Sequence, residues 1–166
     1  MAYKFKDITV LIVDRQPAIA ELIRDVLWMF GVQRIITRVD GKTGLRAFEK
    51  RAPDIVIVDW DLDSISGLAF TQAVRSSLHN PYVPIIFMTA FSSVKRVVSA
   101  RDAGITEFMR KPFSAESLYK RIEAIVERPR PFVRVPDFFG PDRRRQRPEN
   151  FIGDEKREFR PDKTPR

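Results

Sequence analysis

The chain has 166 residues, a formal net charge of +8, 43% apolar residues, no cysteine and a single histidine, His79. That is room for one ordinary domain and a tail, with enough apolar content to exclude a wholly disordered chain. Disulfides and thiolate metal sites are excluded outright, and one histidine rules out a histidine-cluster metal centre and argues against Ser-His-Asp catalysis.

Taken in order, Met1 to Asp7 leads directly into a strand, with no apolar region of signal-peptide length. Nowhere do ~20 apolar residues run together, so no membrane-spanning helix is expected and a soluble cytoplasmic protein is. Strands are predicted over 8–13, 34–38, 54–59, 84–89 and 106–109, each short and rich in Val, Ile or Phe. The central ones are apolar on both faces, as strands covered by helices on both sides must be.

Helices alternate with them. Ile19, Leu22, Ile23, Val26, Leu27 and Phe30 form one apolar stripe, with Pro17 suited to the first turn and Gly31 to the stop. A second helix, 42–51, presents Leu45 and Phe48. A third, 66–79, carries Phe70, Ala73, Val74 and Leu78. The fourth, 92–103, opens at Ser92 or Ser93 and stops at Gly104. The last opens at Ser114, a good N-cap, and is expected to bury Leu118, Ile122, Ile125 and Val126. Five β-α units in sequence imply an α/β fold with a five-stranded, doubly wound parallel sheet.

Composition changes at Arg128-Pro129-Arg130-Pro131. Residues 1–128 carry a formal charge of +4, and the much shorter segment 129–166 carries another +4 with seven of the twelve prolines. The domain is therefore placed at 1–128, and 129–166 is expected to be an extended or disordered tail. Its aromatic rings, Phe132, Phe138 and Phe139, are costly to leave in water. They are expected to dock on this domain, on a second copy or on a partner. The run Arg143 to Arg147 suits phosphate groups, whether of nucleic acid or of a cyclic dinucleotide. A basic run in such a tail is more often solvated charge, and no groove-reading fold accompanies it.

Chemistry-bearing residues collect at the strand ends, where open parallel sheets place their sites. Asp14 ends the first strand, Asp59 the third and Thr89 the fourth, while Lys111 follows the fifth. Two carboxylates, a hydroxyl and an ammonium converging there suit phosphoryl transfer to a carboxylate: a nucleophilic oxygen, with positive charge for the oxygens on phosphorus. Asp14 and Asp59 supply oxygen ligands for a magnesium ion. No Gly-rich phosphate loop and no conventional catalytic His or Cys is present, so an enzyme acting on metabolites is not expected.

These residues, in this order and context, resemble the receiver domain of two-component response regulators, the CheY-like family, across about residues 7–127. The anchors are Leu11-Ile12-Val13-Asp14, Pro53 to Asp59, Ile86-Phe87-Met88-Thr89-Ala90 and Phe108-Met109-Arg110-Lys111-Pro112-Phe113. The resemblance implies a CheY-like fold with Asp59 as phosphoacceptor and Thr89 as the switch hydroxyl. It makes Lys111 the basic partner, with a cis bond to Pro112, and Phe108 the switch aromatic. It also implies magnesium on Asp14, Asp59 and the main-chain carbonyl of Asp61. The implied partners are a sensor histidine kinase or phosphotransfer protein and a downstream protein target. A homodimer through the fourth helix, last strand and last helix is a further possibility; nucleic acid and membrane are not expected partners.

The chain departs from the family at Arg15, where a second acid usually follows the first strand, and this puts magnesium binding in question. Two arrangements are physically sensible. Arg15 turns outward and leaves a weakened metal site, or its guanidinium clamps Asp59 and the domain acts as a phosphate-independent interaction adaptor. The loop after Asp59 is unusually acidic, and Asp61 either adds its carboxylate to the site or, with Asp63, is simply solvated. Phe91, large for its position, either screens water from the site or only packs.

Overall fold

The computed structural model describes residues 5–144. Thr9–Val13 (β1), Arg34–Arg38 (β2), Ile55–Asp59 (β3), Ile85–Thr89 (β4) and Glu107–Arg110 (β5) form a parallel sheet in the order β2-β1-β3-β4-β5. The helices are Pro17–Met29 (α1), Gly41–Arg51 (α2), Gly67–Arg75 (α3), Val94–Asp102 (α4) and Ala115–Glu127 (α5). This is the CheY-like arrangement, and the strand order reverses at β1 and β3, which places their ends beside the topological switch point.

Period-2 alternation divides the strands between two cores. Val10, Ile12, Ile55, Ile57, Ile86 and Met88 pack on one face with α1 and α5, around Ile23, Leu27, Leu118 and Ile122. Leu11, Val13, Val56, Val58, Ile85 and Phe87 face the other way, against Phe48 of α2, Phe70 and Val74 of α3 and Ala100 of α4. The middle of the sheet is sealed on both faces, which fixes the strand ends that carry the site.

Helix starts follow local chemistry. Asp40 accepts from the amides of Lys42 and Thr43, and Ser66 and Ser93 cap α3 and α4. Ser114 and Ser117 close a capping box on α5. Three residues of the predicted apolar stripes face water instead. Leu22 is 51% exposed because the stripe on α1 is narrower than its apolar run. Leu78 is fully exposed because α3 ends at Arg75, and Val126 lies at the edge of α5's buried stripe. Among the described residues, no helix is long and apolar enough to cross a membrane.

The segment expected to be an extended or disordered tail folds in part. Phe132–Val135 (β6) and Phe138–Pro141 (β7) pair antiparallel around a two-residue turn at Pro136-Asp137. The hairpin docks on this same domain at the end of the sheet opposite the strand ends that carry Asp14 and Asp59. Phe132 and Phe139 meet Tyr82 edge-on, with ring centroids 5.3 and 5.4 Å away. Under Phe132 lies the Arg75 guanidinium, 5.0 Å from the ring centre.

Arg75 is buried and donates to the carbonyls of Gly104, Pro81 and Val83 at 2.7 to 2.8 Å. Burial pushes its pKa down to about 9, which still leaves it charged at neutral pH. It ties α3, the start of β4 and the α4–β5 loop to the hairpin. Arg143 bonds Asp102 at 3.0 Å and the Arg101 carbonyl at 3.1 Å, holding the far strand to the end of α4. Of the basic run, Arg145 to Arg147 lie outside the described residues.

Candidate functional site at the strand ends

Each site residue is delivered by a sealed strand. Asp14 follows β1, Asp59 closes β3 and Thr89 closes β4, and all three side chains are buried. Lys111 follows β5, its amide donating to the Thr89 carbonyl at 2.8 Å, and its peptide bond to Pro112 is cis. The Lys111 ammonium reaches back across the strand ends, 2.6 Å from Asp14 Oδ2 and 3.2 Å from Asp59 Oδ1. The other Asp14 oxygen accepts from the Gln16 amide at 2.9 Å, which fixes the carboxylate at the start of α1.

One cation thus bridges two buried carboxylates. Burial, first of all, pushes the Asp59 pKa up; Lys111 opposes this, and the charges of Asp14 and Asp61 add to it. The result is a buried carboxylate whose charge Lys111 compensates only in part. Gly67 packs against its backbone so closely that a Cβ there would overlap the Asp59 carbonyl. The acceptor strand and the start of α3 are therefore held together.

Thr89 does not point its hydroxyl at Asp59. The hydroxyl donates to the Phe91 carbonyl and accepts from the Phe91 amide, both at 3.1 Å. Phe108 is half-buried and stacks on Phe87, with centroids 6.5 Å apart and rings 20° from parallel. Phe91 is 64% exposed.

Arg15 is exposed and makes no ion pair among the described residues, so the clamp on Asp59 is not formed and Lys111 is the one cation paired with the two carboxylates among the described residues. Asp61 is half-buried, whereas Asp63 is exposed and contributes its carbonyl to the Gly41 amide at 3.2 Å. Asp14 and Asp59 bring two hard carboxylate donors together through Lys111, and among the described residues no group of three or more His, Cys, Asp or Glu is placed to hold a metal ion.

Sequence reasoning overlooked one neighbour. Arg96, in the first turn of α4, lies 4.7 Å from the Trp60 ring centre and 5.4 Å from that of Phe91. Nothing in the local pattern of α4 distinguishes it from a solvent-facing arginine.

Known proteins share this fold and family. Residues 10–123 match the sequence model of the response regulator receiver domain. A probable transcriptional regulatory protein, TcrX of Mycobacterium tuberculosis, is 34% identical over 121 residues, covering 73% of this chain and 50% of its own. The chain thus spans about half the length of that relative. The chemotaxis protein CheY of Pseudomonas aeruginosa is 29% identical over 72% of this chain and 96% of its own. The solved structure of the chemotaxis response regulator CheY4 of Vibrio cholerae superimposes with a TM-score of 0.67 at 27% identity, covering 71% of this chain and 98% of that one.

Proposed function

The chain belongs to the response regulator receiver family of two-component systems, and from that premise we propose that Asp59 accepts a phosphoryl group. The single observation carrying this reading is Lys111 at 2.6 Å from Asp14 and 3.2 Å from Asp59. An oxygen of Asp59 attacks phosphorus in line. A new acyl P–O bond forms, the bond from phosphorus to the donor breaks, and the donor atom leaves with the electron pair. The donor is the phosphohistidine of a sensor kinase or a phosphotransfer protein.

Lys111 pairs with one phosphoryl oxygen, and the Thr89 hydroxyl leaves Phe91 to donate to another. Magnesium would be held by Asp14, Asp59 and the Asp61 carbonyl, and when bound it supplies positive charge to the phosphoryl oxygens. Phe108 follows Thr89 by repacking against Phe87, a population shift driven by these new contacts.

Residues 1–128 act as the receiver unit, in the cytoplasm, and signal through protein contacts rather than metabolite chemistry. The hairpin appended after 128 holds the end of α4 and the start of β5. The opposite end of α4, with Val94 and Val98 exposed, is left for a downstream protein or a second copy.

A second reading is a phosphate-independent adaptor, favoured by a resting site in which Lys111 already engages both carboxylates while Arg15 faces water. One experiment separates them: magnesium and then acetyl phosphate are titrated while Trp60 emission and intact mass are followed, with Asp59→Asn as control. A saturable response and one added phosphoryl group, both absent from Asp59→Asn, are expected. No added mass on the wild-type protein would leave the adaptor standing. Arg15→Asp is expected to raise magnesium affinity roughly tenfold by restoring a carboxylate.

A further inference from the structure

Three observations meet next to the ends of β3 and β4. Trp60 follows Asp59 directly, and Phe91 lies two residues after Thr89, so the two rings come from the strand ends that carry the acceptor and the hydroxyl. Arg96 stands against both, at 4.7 and 5.4 Å from their centres. Its Nη1 is buried and has no hydrogen-bond partner among the described residues. A buried guanidinium nitrogen without an acceptor is unfavourable and rarely kept without cause. Ring faces hold the cation but accept none of its in-plane N–H groups.

Charge on the site itself is short of cations. Lys111 already serves Asp14 and Asp59, Asp61 adds a further negative charge nearby, and Arg15 turns away. A phosphoryl group adds roughly two more negative charges. Arginine is the side chain best suited to oxygens on phosphorus, because its N–H groups lie in a planar fork.

We propose that Arg96 is a phosphoryl-binding residue of this site, stored between Trp60 and Phe91 in the resting state and released onto the Asp59 phosphoryl group. This rests on phosphorylation of Asp59. The release follows from the hydrogen bonds already described. Thr89 can turn toward the phosphoryl group only by giving up both its bonds to Phe91. Phe91 is then free to move off Arg96, and the guanidinium gains the acceptors that Nη1 lacks.

The test uses the full chain with Trp28→Phe, which leaves Trp60 as the only tryptophan. Beryllofluoride with magnesium serves as the phosphoryl mimic, with Arg96→Met keeping apolar bulk and Arg96→Lys keeping charge. Circular dichroism checks that both variants fold. Arg96→Met is expected to bind the mimic roughly tenfold more weakly, the loss of one charge-assisted contact, with a diminished Trp60 response. Arg96→Lys recovers most of the affinity. Wild-type affinity and an unchanged Trp60 response in Arg96→Met overturn the proposal while leaving phosphorylation intact. A wild-type protein that neither responds to the mimic nor gains phosphoryl mass overturns both.

Discussion

Asp59 holds its negative charge in a buried place that Lys111 only half serves, because the ammonium sits closer to Asp14 than to Asp59. Its folded pKa therefore lies above the ordinary 3.8, with burial as the main cause. Stability linked to such a group is fully present below the unfolded pKa and is lost as pH rises through the folded one. At neutral pH the ionised side chain is a net cost, and the neutral, near-isosteric Asp59→Asn removes it. The variant is expected to be more stable than wild type at pH 7 by about 1 kcal/mol, or about 3 °C in Tm. The gap should close as pH falls toward 3.8, which thermal unfolding across that range will reveal. A gap that persists unchanged at low pH would show that charge is not its source. The residues of this cluster were legible in the sequence because each terminates a short apolar run, and a parallel sheet brings such ends together. The direction of Arg15 was not, since both of its arrangements satisfy the same local pattern. Arg96 was also hidden, because its two aromatic neighbours come from different strand ends.

At the scale of elements, the hairpin docks by backbone contact as much as by rings. Gly104 has a φ of +94°, and a Cβ there would lie 2.7 Å from the Phe139 carbonyl oxygen. A Cβ at Gly140 would come 2.9 Å from the Gly104 Cα. Gly104→Ala therefore meets both a left-handed backbone and the hairpin, while Gly31→Ala at φ +93° is the control for backbone strain alone. Left-handed strain costs about 1–3 kcal/mol at either position. Gly104→Ala is expected to lose roughly 1 kcal/mol more than Gly31→Ala in urea unfolding, since overpacking a close contact adds about that much. Equal losses would mean that β7 moves away without consequence. The sheet and its helices were readable because burial on both faces leaves continuous apolar strands and 3.6-period stripes. The hairpin was not, because the Pro- and Arg-rich composition around it masks two four-residue strands. Its signal was present in Phe132-Val133-Arg134-Val135 and in Phe138-Phe139, on either side of Pro136-Asp137.

For the whole molecule, the question is whether the folded unit ends at 128, where composition changes, or includes the hairpin. The five β-α units form a closed set, with both faces of the sheet covered by helices and no strand of β6 or β7 added to it. Truncation after Arg128 should therefore leave a folded domain. It should not leave an equally stable one. The cut removes three half-buried phenylalanines, the ring over Arg75, and Arg130, which is 3.1 Å from Glu107. Burying a phenylalanine fully is worth about 1.5–3 kcal/mol, so three at half burial amount to roughly 2–4 kcal/mol. Glu107 keeps Arg121 at 2.7 Å, so its carboxylate is not left unpaired. The truncated chain is expected to unfold at lower urea, with a smaller m-value because less surface is exposed on unfolding. The Trp60 response to beryllofluoride should survive, because the strand ends lie at the opposite end of the sheet. An unchanged midpoint would make the hairpin a passenger on the domain. Loss of the Trp60 response in a folded truncation would instead couple the two ends, with α4 as the element they share: Arg96 in its first turn, and Asp102 held by Arg143 in its last.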